Sequence, residues 1–146
     1  MREMAGGCMC GKIRYTATIE NEEAYLCHCR MCQRACGNVS LALKNLKKAE
    51  VSWERRPDYY ASSPIANRGY CSTCGTSLTF EFPDSDNMDL TVASFDDPSS
   101  FKPTHNFGIE SMHPAWLNTE GLKGIRADEN PATVSRWMKT VGKLPD

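Results

Sequence analysis

The sequence predicts a mainly β fold, built from several short antiparallel strands and one helix near its end. Three observations support this prediction: apolar residues alternate over short segments, turn residues separate those segments, and cysteines open tight, glycine-flanked turns. Nothing in the pattern indicates strands alternating with helices. With 146 residues, we expect one domain spanning 1–146. A chain of this length buries about 70% of its unfolded surface, so a hydrophobic core can form without disulfides or bound metal.

The clearest strand is residues 13–19, where apolar side chains alternate with polar ones and β-branched residues are frequent. Further strands are predicted at 38–43, 51–53, from Tyr59 onward, 76–82 and 88–95. A turn at 45–49 is expected to join the strands at 38–43 and 51–53. In segment 76–82, Leu78, Phe80 and Phe82 share one predicted face.

One helix is predicted at 131–141. Asn130 suits the N-cap, Pro131 the first helical position, and Gly142 the position after the last turn. Apolar residues recur at helical spacing at Val134, Trp137, Met138 and Val141. We expect this face to dock on the sheet.

Composition excludes some classes of function. The 17 basic and 18 acidic residues leave a net charge of −1, which argues against binding nucleic acid by bulk charge. No segment approaches the roughly 18 apolar residues of a membrane span, and the first residues lack the apolar stretch of a signal peptide. We therefore expect a cytoplasmic protein. In a reducing compartment, eight cysteines indicate metal binding or redox chemistry rather than disulfides.

Seven of the cysteines form two pairs and a triplet: Cys8 and Cys10, Cys71 and Cys74, and Cys27, Cys29 and Cys32. Four thiolates close one tetrahedral zinc site, whereas three leave a position free, as in catalytic zinc sites. We therefore predict two Zn²⁺ per chain, one structural and one catalytic.

The two pairs are predicted to form the structural site. Thiolates around zinc lie about 3.8 Å apart, so Cys8-x-Cys10 must bend, and neighbouring glycines permit this. Cys71-x-x-Cys74 is followed by Gly75, which lets backbone N–H groups turn toward the sulfurs. The alternative is that one pair is merely buried or redox-active.

The triplet lies within six residues, so one tight loop can wrap a metal. The sequence allows several candidates for the fourth ligand of a metal at the triplet. Cys36 follows Cys32 by one helical turn and could close the site. His105 and His113 could reach it from elsewhere, or water or a substrate thiol could take the position. His28, between two ligands, is better interpreted as a buried polar residue.

Three motifs together resemble the glutathione-dependent formaldehyde-activating enzyme family, which also includes centromere protein V. They are GCMCGKIRY at 7–15, CHCRMCQR at 27–34 and CSTCGT at 71–76. The resemblance extends over roughly residues 5–125 and includes PTH at 103–105 and PAWL at 114–117. Each motif alone is weak, whereas the three in this order are specific.

The resemblance implies a zinc-containing β-tent fold, a structural zinc at the two pairs and a second, catalytic zinc at the triplet. It also implies a carbon–sulfur lyase that forms or cleaves the adduct of formaldehyde with glutathione. Cys36 departs from the small residue, often serine, that the family has at this position. This departure favours a closed second site or a resolving thiol.

In that chemistry, a substrate thiol entering the fourth zinc position would lose its proton. Glutathione carries two carboxylates, so cationic residues near the triplet are natural partners. Arg30 and Arg34 are the nearest in the sequence, and Arg68 is a third. His105 is a candidate proton shuttle or ligand.

Two other functions are compatible with the sequence. A zinc-dependent module could bind another protein through exposed aromatic residues, for which Trp116 and Trp53 are candidates. A thiol redox protein could instead use Cys32 and Cys36. The second alternative predicts a disulfide between these cysteines under mild oxidation.

Overall fold

The computed structural model describes residues 1–145 and confirms the predicted mainly β fold. This part of the chain contains ten strands and two α-helices. In chain order these are β1 Arg2–Gly7, β2 Arg14–Ile19, β3 Glu23–Cys27, α1 Arg30–Cys36, β4 Leu41–Lys47, β5 Val51–Trp53, β6 Asp58–Ser63, β7 Ala66–Tyr70, β8 Ser77–Glu81, β9 Asn87–Thr91, β10 Lys102–Phe107 and α2 Pro131–Thr140.

The chain divides into two compact units. The first, Met1–His113, contains all ten strands and α1, and the second begins at Pro114 and contains α2. One domain over 1–146 stays a prediction.

The strands of the first unit form two sheets. A three-stranded sheet has the order β1-β2-β5, and a seven-stranded sheet has the order β10-β3-β4-β9-β8-β7-β6. The strand pairs are antiparallel except for β10 and β3, which run parallel. Strand β10, which was not predicted, forms this parallel edge, because it returns to β3 after a long connection.

The main core lies along β2, whose alternation was the clearest strand signal. Tyr15, Ala17 and Ile19 are at most 2% exposed. The Tyr15 ring packs edge-on against Trp53 and Phe95, and its hydroxyl lies 2.8 Å from Ser94 Oγ. Burying every second side chain of β2 stabilises the short sheet against the longer one.

Two predicted details differ from the structure. Strand β4 extends to Lys47, into the turn expected at 45–49, and a 3₁₀ turn at Lys48–Glu50 makes the connection. Strand β5 then belongs to the three-stranded sheet, where it pairs with β2. In β8, Leu78 is fully buried whereas Phe82, just beyond the strand, is 42% exposed, so the predicted apolar face is buried only in part.

The second unit contains the predicted C-terminal helix. Asn130 caps it by accepting a hydrogen bond from the Thr133 N–H, and Gly142 follows its last turn with φ +82°. Trp137 and Met138 are 37% and 50% exposed, and docking of this face on the sheet stays a prediction. Within residues 1–145, no helix has the length and apolar character needed to cross a membrane.

Candidate metal centres

Cys8, Cys10, Cys71 and Cys74 form a four-thiol cluster. Cys8 and Cys10 lie between β1 and β2, and Cys71 and Cys74 lie between β7 and β8. All four Sγ atoms lie within 4.8 Å of one another; Cys10 Sγ is 3.5 Å from that of Cys8 and 3.8 Å from that of Cys71. The spacing suits four thiolates around one zinc ion, at about 3.8 Å. The residues therefore fit a structural metal, as predicted from their pairing.

Tight turns present these thiols. Gly11 and Gly75 adopt φ values of +81° and +79°, and their N–H groups donate to the carbonyls of Cys8 and Cys71. Such positive φ values favour glycine. The turns direct donors at the sulfurs: the Ile13 N–H lies 3.2 Å from Cys8 Sγ. The hydroxyl and N–H of Thr76 lower the pKa of Cys74. These donors stabilise thiolates, the form that binds a metal.

Cys27, Cys29 and Cys32 form the second cluster, called here the triplet. Their Sγ atoms lie within 4.8 Å of one another. Cys27 ends β3, Cys29 is the N-cap of α1, and Cys32 lies in the first helical turn. The Cys29 sulfur accepts the Cys32 N–H at 3.3 Å. Cys27 and Cys32 are buried whereas Cys29 is half-buried, so the triplet is accessible from the side of Cys29.

A buried arginine adjoins the triplet. Arg68 is 4% exposed, and its Nη2 donates to Cys32 Sγ at 3.3 Å. Its guanidinium lies over the Phe80 ring, 4.8 Å from the centroid. The pKa of Cys32 is lowered, first by its hydrogen bond with Cys27 and then by the hydrogen bond and the positive charge of Arg68. The pKa of Cys27 is raised by its hydrogen bond with Cys32 and by burial. Arg68 is therefore a buried neighbour of a thiol and not a surface residue.

A segment at residues 106–111, called here the strap, holds the triplet loop in place. The His28 N–H donates to the Phe107 carbonyl at 2.8 Å, and His28 Nε2 lies 2.8 Å from Asn106 Oδ1. Gln33 Nε2 donates to the carbonyls of His28 at 2.6 Å and Ser111 at 3.0 Å. His28 is fully buried, and its Nδ1 has no hydrogen-bond partner in residues 1–145. These contacts favour the interpretation of His28 as a buried polar residue.

Gly108 is the closest point of the strap to the triplet. Its φ is +69°, and a Cβ built there would lie 2.9 Å from the Cys29 N atom. Only glycine allows this approach without displacement of the Cys29 backbone. The cysteine motifs did not predict the roles of the strap and Gln33, because these residues carry no metal-ligand spacing.

The other predicted ligands and binding residues lie outside the triplet. Cys36 ends α1, and its thiol faces the carbonyls of Gln33 at 3.9 Å and Ser40 at 3.7 Å. Its Sγ is not among the three grouped within 4.8 Å. His105 is exposed on β10, where its ring stacks on Tyr25 with 5.0 Å between centroids.

The remaining candidates are exposed side chains. Arg30 and Arg34 lie on the surface of α1, and Arg30 donates to Gln33 Oε1. His113 is exposed and joins neither thiol cluster in the described residues.

A cavity of about 380 Å³ lies between helix α1 and the turn of the four-thiol cluster. Its lining includes the side chains of Met9, Cys36, Leu41, Cys74 and Ala93. The volume lies within the range of small-molecule sites. The cavity therefore offers room for a ligand on the Cys36 side of α1.

Comparison with known proteins identifies a family that matches most of the chain. Residues 3–111 match the family described as glutathione-dependent formaldehyde-activating enzyme. An uncharacterized lyase of Schizosaccharomyces pombe is 36% identical over 87 residues, which cover 60% of this chain and 64% of that protein. The match therefore spans less than two thirds of that relative.

The fold also matches a solved structure. The crystal structure of a Rhodobacter sphaeroides protein superposes with a TM-score of 0.56 at 19% identity, covering 70% of this chain and 99% of the other. At this identity the match shows a common fold alone.

Proposed function

The chain belongs to the glutathione-dependent formaldehyde-activating enzyme family, and from this we propose that it is a metal-dependent carbon–sulfur lyase. Its proposed reaction forms or cleaves the adduct of formaldehyde with a small thiol, with glutathione as the first candidate. The observation that carries the proposal is the triplet, which groups three thiols and is half-open at Cys29. The four-thiol cluster, by contrast, already supplies a complete tetrahedral set.

Both thiol sets suit zinc. The four-thiol cluster would hold a structural ion, and Cys27, Cys29 and Cys32 would hold a second one. When bound at the triplet, zinc would lower the pKa of a thiol that enters its remaining position. The expected content is two Zn²⁺ per chain.

The protein's own residues would orient the triplet and the substrate. Burial of Cys27 and Cys32 leaves the side of Cys29 for substrate entry. The strap's hydrogen bonds to His28 and Gln33 limit movement of the loop, which favours a reproducible geometry for the reacting groups.

The substrate's carboxylates require cationic partners. Arg30 and Arg34 are exposed on the helix that begins at the triplet, and we propose them as these partners. His105 is exposed on β10, beside β3, and is proposed to shuttle a proton. Each role is independent of metal binding, so each arginine substitution should raise the KM for glutathione without loss of zinc.

Cys29→Ser tests the proposal. Because Cys29 is the half-buried thiol on the accessible side of the triplet, we expect the variant to exchange formaldehyde with the glutathione adduct at least about 100-fold more slowly. Exchange is measured by NMR in the presence and absence of protein, and melting temperature and zinc content are measured on the same samples. The variant should keep its fold and the zinc of the four-thiol cluster.

Cys36→Ser is the matched cysteine variant. Its thiol lies outside the triplet, so an open site predicts two zinc ions and retained exchange. Loss of the second zinc would instead show that Cys36 closes the site. If wild-type protein exchanges formaldehyde no faster than buffer does, the formaldehyde reaction is wrong.

The binding-module alternative has one supporting observation. Trp116 is 73% exposed, whereas Trp53 packs against Tyr15 with 5.2 Å between ring centroids and offers little free surface. A protein partner that is retained by Cys29→Ser and lost by Trp116→Ala would favour this function.

A further inference from the structure

Arg68 is a buried cation in the seven-stranded sheet. It lies on β7, directly opposite Phe80 of β8, and the aromatic ring supports its guanidinium. Only 4% of the residue is exposed. Strand β7 lies next to the edge strand β6, and Arg68 is three residues before Cys71 of the four-thiol cluster.

No carboxylate of residues 1–145 lies within 4.0 Å of this guanidinium. Burying a charge without a partner costs several kcal/mol, so buried arginines are paired with anions. The polar group that Arg68 contacts is the sulfur of Cys32, at 3.3 Å. The thiol cluster therefore supplies the counter-charge that is in direct contact with the guanidinium.

The charges of the triplet are complementary to this cation. Three thiolates and one divalent ion carry one net negative charge, which Arg68 offsets. We propose that Arg68 is a positioning residue that neutralises the metal-loaded triplet, so that the site holds its metal and accepts an anionic fourth ligand such as a substrate thiolate. This inference rests on the proposed function, because it requires a metal at the triplet.

The consequence concerns the fourth ligand. Without a compensating cation, an incoming thiolate would bring the site to two net negative charges in surroundings of low dielectric constant, where such charges are costly. With the positive charge of Arg68 included, the site with the same ligand carries only one net negative charge. The guanidinium thereby makes an all-thiolate site compatible with a thiol substrate.

The test compares Arg68→Gln with Arg68→Lys. Gln keeps a hydrogen-bond donor but removes the charge, and Lys keeps the charge. Zinc affinity is measured by competition with a chromophoric chelator, which distinguishes the two sites. We expect Arg68→Gln to weaken zinc at the triplet by about 10–100-fold and Arg68→Lys to recover most of that loss. Zinc at the four-thiol cluster and the far-ultraviolet circular dichroism should stay unchanged.

Arg55→Gln is the matched control, because it removes an exposed arginine and should leave both zinc affinities unchanged. Equal zinc affinity of Arg68→Gln and wild type at the triplet would overturn the inference while leaving the lyase proposal intact. An equal loss in the Gln and Lys variants would also overturn it, since the effect would then not follow charge. Wild-type protein with a single zinc would overturn both proposals.

A stability cycle tests the same pairing even where Arg68→Gln fails to fold. Cys32→Ser removes the sulfur that Arg68 contacts and leaves a buried cation without its anion. We expect Arg68→Met to stabilise the Cys32→Ser background and to destabilise the wild-type background, as measured by urea unfolding. The same sign in both backgrounds would contradict the pairing.

Discussion

At the scale of single residues, the triplet depends on neighbours that do not bind metal. Cys29 is held from one side by the helix that it caps and from the other by the backbone of Gly108. Arg68 contacts Cys32 from strand β7, which is distant in the sequence. These contacts act on Cys29 and Cys32, so the two sulfurs are positioned by parts of the chain that are distant from one another in the sequence.

Gly108→Ala is expected to disturb the triplet through Cys29. Its left-handed φ costs an alanine about 1 kcal/mol, and the new Cβ would press on the Cys29 N atom. We therefore expect both a lower free energy of unfolding and weaker zinc binding at the triplet. Urea unfolding and chelator competition measure the two effects.

Gly37→Ala is the control for backbone strain. Gly37 has nearly the same φ, +67°, but its Cβ would meet no atom within 4 Å. Gly37→Ala should lower the free energy of unfolding by the same backbone strain of about 1 kcal/mol, while the triplet keeps its zinc affinity. Weakening of zinc by both variants alike would show that strain, and not the contact with Cys29, is responsible.

At the scale of elements, the alternation of apolar and polar residues predicts a strand that has one buried and one polar face. Strand β2 was predicted because its buried residues alternate. Strands β1, β3, β7 and β10 were missed: β1 is glycine-rich, and β10 is exposed along its whole length and contains Pro103. Their pairing with neighbouring strands, and not their own pattern, makes them strands.

Strand β9 carries a buried carboxylate. Asp89 is 7% exposed and accepts a hydrogen bond from Asn45 Nδ2, its partner on β4, at 3.1 Å. Burial raises the pKa of Asp89, although bonds from Asn45 and Tyr25 oppose this. The folded state thus binds the proton more tightly than the unfolded chain, so this group's contribution to stability falls as pH rises above about 4.

Asp89→Asn removes the buried charge and keeps the shape. We expect the variant to be more stable than wild type at pH 7, and the difference to shrink as the pH falls toward 4. Urea unfolding of both proteins at several pH values measures this difference, and shared effects of pH on the thiols cancel. A difference that grows toward acid pH would contradict the assignment.

At the scale of the whole molecule, the four-thiol cluster joins the two sheets. Cys8 and Cys10 connect two strands of the short sheet, whereas Cys71 and Cys74 connect two strands of the long sheet. A metal bound by all four would cross-link elements about 60 residues apart in the sequence and restrict the unfolded chain.

Cys8→Ser should therefore lower global stability. We expect a loss of about 3 kcal/mol or more in the free energy of unfolding, together with loss of one zinc per chain. Thermal unfolding and elemental analysis measure the two quantities, with Cys36→Ser as a cysteine control outside both clusters. Unchanged zinc content and melting temperature in Cys8→Ser would show that the structural site is absent.

Local features of this protein follow from its sequence. The spacing of cysteines and glycines predicted two metal-binding turns and a tight triplet loop, and alternation and capping predicted β2 and α2, because these signals involve residues a few positions apart. Contacts between distant groups are visible only in the folded chain: Arg68 contacts Cys32, Gly108 contacts Cys29, and Cys36 lies outside the triplet. Strand order sets these contacts, and it depends on packing across the whole chain rather than on any local pattern.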